Sequence, residues 1–335
     1  MARGPGRLAL VLVLAAVLAP AALLAQVYRW TDERGTVHIA DDLNQVPEAY
    51  RAQVERMARG LGGGIQGPDT VPGPSGGRAL GTSERWRGRT LAEWQSDLRD
   101  PAARTRAAAL SALAFYGAAA VPALTLALRD PDPQVRVSAA RGLGQVGPDA
   151  AEAVTALGQG LRDSEPRVRF DAAVALGRLG PAARDAVPAL GRALSDPAGE
   201  VRVGAALGLA GMGPAARGVL PGLVQALRDG NPVLRMSAAS ALGSIGPEAR
   251  PAVPALLGAL RDANTSVRTS AASALGSIGP AAREAVPELR RLAESDRAQD
   301  FDTPARDAVL RQKEGVLRQE LRVAARDALR QIEGR

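Results

Sequence analysis

The chain has 335 residues, room for two ordinary domains, and a formal net charge of +7. Apolar residues make up 46% of it but aromatics only 3%, so its core is built from Ala, Leu and Val and needs close helix–helix packing. It has no cysteine and a single histidine, His38, which excludes disulfides, cysteine or histidine-activated nucleophiles in the repeat region, and cysteine zinc sites. Lys313 is the only lysine. The many arginines are interspersed with acids rather than gathered on one stripe, so the basic balance alone does not imply a polyanion partner.

Arg3 and Arg7 precede an uncharged apolar run from Leu8 to Ala25, broken by Pro20. A basic start, an apolar middle and small residues before the cut describe a secretory signal peptide. Residues 1–25 are expected to be removed after Ala25. The run of 18 residues is marginal for a membrane span of about 20; an uncleaved N-terminal anchor is the alternative. No cysteine follows the run, so no lipid anchor is expected.

Residues 26–60 read as a small unit. Tyr28-Arg29-Trp30-Thr31 alternates as a half-buried strand does, Asp32 to Gly35 is a turn, and Thr36-Val37-His38-Ile39 is a second strand. Pro47 opens a short helix to about Arg59, with Tyr50, Val54 and Met57 on one face. A lone hairpin is marginal in water, so the helix is expected to pack on it. The stretch Val27 to Asp41, with its Tyr-x-Trp-x-Asp-x-x-Gly-x-x-His spacing, resembles a small domain of unknown function. That domain follows the signal peptide of many exported bacterial proteins. His38 reads as a structural histidine, and Tyr28 and Trp30 as a mini-core. Residues 61–88, with Gly62-Gly63-Gly64 and Pro72-Gly73-Pro74, show no apolar periodicity and read as a linker.

Residues 89–335 carry a frame that returns every 33 residues: Val135-Arg136, Val168-Arg169, Val201-Arg202, Leu234-Arg235 and Val267-Arg268 each precede a Gly-Pro by the same distance. A fixed period of this size marks a solenoid. In each unit a proline opens helix A, as Pro254 does, after a seven-residue lead-in such as Pro247 to Val253 that is expected to form a kinked first turn. Helix A ends at Leu-Arg-Asp. Helix B then carries one apolar stripe, such as Val168, Ala172, Leu176 and Leu179. Neither helix can cover its apolar sides alone; the next pair must do it.

Two charged columns run through the units. One is Asp100, Asp130, Asp163, Asp196, Asp229, Asp262 and Asp296; the other is Arg106, Arg136, Arg169, Arg202, Arg235, Arg268 and Arg322. A charge repeated at one position per unit predicts a ladder, each Asp accepting from an Arg of its own or the adjoining repeat. The first unit is divergent, with Phe115-Tyr116 at its ending. The last carries a charged insertion before Arg322. Atypical ends fit capping repeats.

The Leu-x-Asp turn, Val-Arg-x-x-Ala-Ala and Leu-Gly-x-Ile-Gly together resemble HEAT repeats, of the short subclass also seen in phycobilin lyases. The resemblance implies an all-α, right-handed α-solenoid of about seven helix pairs, behind the small N-terminal β-hairpin unit. It implies that the B helices line a concave face. The columns that vary between repeats put Phe170, Val174, Val203, Leu207 and Met236 there, with Arg141 and Arg178 beside them. Apolar residues rimmed by polar ones mark interaction sites. The expected site is a shallow groove for a segment of another protein; packing of Val203 and Met236 on adjacent repeats is the alternative. No catalytic, cofactor or metal constellation is read. The expected function is a non-enzymatic scaffold or adaptor in the periplasm or bacterial envelope, with other proteins as partners and no nucleic acid. A binder of acidic polymers or membrane surface through arginine comes second. Chromophore handling is implied only by the lyase resemblance.

Overall fold

The computed structural model describes residues 28–31, 37–40, 79–294 and 308–334. The readings of residues 1–25, of a helix from Pro47, of residues 61–78 and of Asp296 lie outside the described residues. Two units are distinguished, Met1–Gly73 and Pro74–Arg335.

In the first unit, β1 (Tyr28–Thr31) and β2 (Val37–Ala40) form an antiparallel hairpin. Tyr28 stands opposite Ala40 and Trp30 opposite His38.

The second unit is helical. Its elements are α1 (Leu91–Ser96), α2 (Ala103–Leu113), α3 (Val121–Ala127), α4 (Pro133–Val146), α5 (Val154–Gly160), α6 (Pro166–Leu179) and α7 (Val187–Ala193). They continue as α8 (Gly199–Met212), α9 (Leu220–Ala226), α10 (Pro232–Ile245), α11 (Val253–Ala259), α12 (Thr265–Ile278), α13 (Val286–Glu294) and α14 (Ala308–Glu333). Odd-numbered helices are the A members of each pair and even-numbered ones the B members. Each B helix packs on the B helix of the next pair. The unit is therefore an all-α solenoid.

Local chemistry sets the boundaries. Asp132, Asn231 and Asn264 cap α4, α10 and α12 by accepting from the amides of Gln134, Val233 and Ser266. Pro133, Pro166 and Pro232 fill the first turn, where a missing N–H costs nothing. The B helices stop at Gly147, Gly180, Gly213, Gly246 and Gly279, whose φ lies between 56° and 74°. With ψ near −140°, that conformation is one a residue with a β-carbon adopts only under strain. From α3 onward the lead-in to each A helix is a 3₁₀ segment such as Gly246–Ala252, and the α-helix starts at Val253. The expected kink is present as well, at Ala150, Ala183 and Ala282, where ψ turns to between 17° and 22° inside the 3₁₀ segment.

The core is a stack of constant columns. Leu143, Leu176, Leu209, Leu242 and Leu275 are fully buried, as are Ala139, Ala172, Ala205, Ala238 and Ala271. The small residues allow backbone contact. At α6 and α8 this goes furthest: a β-carbon on Gly177 would sit 2.6 Å from the Gly208 Cα, and one on Gly208 would sit 2.5 Å from the Ala173 carbonyl oxygen.

Both ends depart from the repeat. Residues 79–88, assigned to the linker by composition, are built into the first pair. The Leu80 amide donates to the Phe115 carbonyl at 2.9 Å, and the Trp86 ring lies 4.6 Å from that of Phe115. The Tyr116 hydroxyl donates to the Arg89 carbonyl at 2.8 Å and accepts from the Trp86 amide at 3.2 Å. Trp86, Phe115 and Tyr116 thus seal the open end of α2; the Gly/Pro composition upstream masked this. At the other end α14 stands in the place of a B helix against α12, burying Leu321, Ala325, Ala328 and Ile332. Its Val316 and Val323 remain exposed.

Candidate functional site

The Asp–Arg ladder fixes the loops between helices. Arg136 donates from Nε and Nη2 to both carboxylate oxygens of Asp163 at 2.7 and 2.8 Å. Its Nη1 donates to the carbonyl of Asp130, in its own repeat, at 2.9 Å. Arg106 with Asp130, Arg169 with Asp196 and Arg235 with Asp262 repeat this within 2.7–2.8 Å. Arg202 and Asp229 are slightly longer, at 3.2 and 3.4 Å. Asp130, Asp163, Asp196, Asp229 and Asp262 also accept from the amide two residues on, as Asp196 does from Ala198 at 2.9 Å. Arg268 is buried and donates to the Asp262 carbonyl at 2.6 Å. Arg322, the last of the column, lies half-buried on α14.

The Arg106 hydrogen bond holds Asp130 below the usual carboxylate range. At Asp163, Asp196 and Asp262 burial pushes upward, but the arginine bond and the loop amide together outweigh it, so these carboxyls also titrate low. The partner hydrogen bonds raise Arg106, Arg136, Arg169 and Arg235. These arginines use Nε and both Nη atoms inside the fold, so they are structural.

The outward columns of the B helices are where the repeats differ. Val174, Leu207 and Met236 are half-buried, and Arg141 and Arg178 are exposed. Two expected groove residues are not available there. Val203 is 1% exposed and Phe170 8%. For Phe170 the cause is the neighbouring repeat: Gly204 leaves a space that the ring fills, since a β-carbon on Gly204 would meet the ring at 2.8 Å. The groove expected from sequence is narrowed to Val174, Leu207 and Met236.

The structure adds a grouping that the expected groove did not include. Asp171, 6% exposed, accepts from Arg141 Nε at 3.0 Å and from Arg167 Nε at 2.9 Å. The Arg167 guanidinium also lies 5.1 Å from the Phe170 ring centre. The available signal was Asp171 itself, an acid in a column otherwise occupied by Ser138, Gly204, Ser237 and Ser270. Arg178 reaches back over α4: a β-carbon on Gly144 would lie 3.4 Å from its Cδ. Farther along, the same columns carry Ser240, Ser244, Ser273 and Ser277.

Among the described residues no group of three His, Asp or Glu side chains converges as a metal site would require. An open depression of about 270 Å³ lies on the A-helix side, between α5 and α7, lined by Thr155, Gln159, Arg162 and Asp185.

Helix pairs stacked B on B, joined by an Asp–Arg ladder, define a repeat scaffold suited to binding other proteins. HEAT repeats match residues 91–163, 121–210, 187–254 and 220–309, and the chain belongs to the HEAT-repeat family. A domain of unknown function, DUF4124, matches residues 14–59. No curated protein matches the chain. Among solved structures, an engineered protein is 25% identical over 72% of this chain and 68% of its own, with a TM-score of 0.54. A computationally designed armadillo repeat protein for modular peptide recognition is 21% identical over 63% of this chain and 99% of its own, TM-score 0.47. The CpcE–CpcF complex of phycocyanin lyase from Nostoc sp. PCC7120 is 23% identical over 45% of this chain and 96% of its own, TM-score 0.38.

Proposed function

We propose that the protein is a non-catalytic scaffold or adaptor, exported to the bacterial envelope, that holds partner proteins on the concave B-helix face of its solenoid. One observation carries the reading. The core and ladder columns are constant from repeat to repeat, whereas the outward B-helix column runs Arg141, Val174, Leu207, Ser240 and Ser273. A surface kept only for solubility has no need of half-buried Val174 and Leu207 between polar neighbours. Export is supported by the basic, apolar and small-residue succession of residues 1–25. The reading as a general polyanion binder is weaker, because the ladder arginines are taken up by their aspartates. Val174→Asp together with Leu207→Asp tests the scaffold. Crosslinking in the native envelope should lose the partners of the wild type while the thermal midpoint stays within a few degrees. Unchanged partners on an intact fold would remove the reading.

A further inference from the structure

The two kinds of arginine on this chain are used differently. A ladder arginine commits Nε, Nη1 and Nη2 to its own loop and the next. Arg141 and Arg167 touch Asp171 through Nε alone. Among the described residues, their Nη groups make no hydrogen bond. Their side chains are 49% and 35% exposed, while that of Asp171 is 7% exposed. A buried carboxylate therefore holds two guanidinium groups side by side with their outer edges in solvent. Two positive charges share one negative one. Arg178 adds a third, its stem lying over Gly144, one helical turn from Arg141.

Acids oppose this charge only at its ladder end, where Glu165 stands at the N-cap of α6, two residues before Arg167. Helices α4, α6, α8, α10 and α12 contain only two acids, Asp171 and Glu200. Glu200 holds on α8 the position that Arg167 holds on α6, one 33-residue period earlier, so it stands at the ladder end of the site and leaves Arg141 and Arg178 as the arginines of the outward columns. Nothing in the repeat demands a carboxylate at 171, since Ser, Gly and Ser serve elsewhere in that column. The carboxylate orients two forks toward the outside.

We propose that Arg141 and Arg167, fixed by Asp171 and flanked by Arg178, dock acidic side chains of an extended partner segment. The proposal rests on the scaffold reading and names the chemistry of its partner. Charge complementarity selects the acid. Val174 and Leu207, at matching positions of α6 and α8, select an apolar residue farther along the segment. Neighbouring helices stand about 8–10 Å apart, and an extended chain rises about 3.3 Å per residue. The segment therefore presents paired acids, then an apolar residue about three positions on.

The probe is a fluorescein-labelled peptide with paired glutamates ahead of leucines at three-residue spacing, read by anisotropy against the full-length chain. Its counterpart carries glutamine for glutamate. The glutamate peptide should bind the more tightly, and Arg141→Gln with Arg178→Gln should weaken it by at least about tenfold. Binding of the glutamine peptide should not move, and the thermal midpoint should fall only modestly, because Arg167 still pairs with Asp171. Arg178→Gln alone lies outside the Asp171 pair, so it remains informative if the double variant is unstable; it should weaken binding about threefold. Equal binding of the two peptides, no binding of the glutamate peptide, or indifference to the arginine changes overturns the proposal. So does equal competition by an oligonucleotide or by anionic vesicles, which would mean that the site reads charge alone. If Leu207→Asp removes both peptides while the arginine variants do nothing, the scaffold reading stands and the acidic docking site falls.

Discussion

At the scale of single residues, the same pair of types does two jobs, and geometry separates them. Arg169 and Asp196 are 12% and 11% exposed and mutually saturated; Arg141 is 49% exposed although its partner Asp171 is as buried as Asp196. The ladder predicts an acid limit. Asp130, Asp163, Asp196 and Asp262 titrate below their unfolded value, which lies near 3.9. Their contribution is fully present above that value and is lost as pH falls through the lower folded values. The thermal midpoint should therefore be level from about pH 8 to 5 and fall below about pH 4. Asp196→Asn, melted across the same range, should start lower and fall less steeply. An equal acid slope for wild type and variant would show that the ladder is not the titrating element.

At the scale of elements, small residues decide how near the helices come. Gly177, Gly208 and Gly211 put α6 and α8 in backbone contact: a β-carbon on Gly211 would overlap the carbonyl of Gly177. Gly211→Ala must push the two helices apart. It should cost about 2 kcal/mol or more, because the atom that blocks it is backbone and cannot rotate away. Denaturant unfolding measures this directly; a change under about 0.5 kcal/mol would mean that the contact is looser than it stands. The period, the proline starts and the Gly-Pro stops were legible along the chain, since each is a local demand on φ or on a missing N–H. The burial of Phe170 was not. It depends on whether the neighbouring repeat offers a glycine, as at Gly204, and a column read by itself does not register that.

At the scale of the molecule, the legible part was the stacking and the illegible part was the ends. A 33-residue frame announces its own continuation, so the central B helices could be placed from spacing. The seal at residues 79–90 could not, because Trp86, Phe115 and Tyr116 meet only in three dimensions. Arg167 was missed for a related reason. Its importance arises through Asp171, and the partner on the other side, Arg141, belongs to another repeat.

From Arg106 to Arg235, each ladder arginine grips the loop before its own B helix and the corresponding loop of the next pair. The array is in that sense a set of interchangeable joints. Removing residues 163–195 would bring Asp196 to the seat Asp163 now holds, opposite Arg136. Such a shortened chain should fold to a solenoid one pair smaller, with circular dichroism of the same shape and a single cooperative melt. A molten or aggregated product would show that the joints have diverged in ways their shared chemistry conceals. The same excision would delete Arg167, Asp171 and Arg178 at one stroke, leaving a shorter scaffold stripped of its acid-reading face.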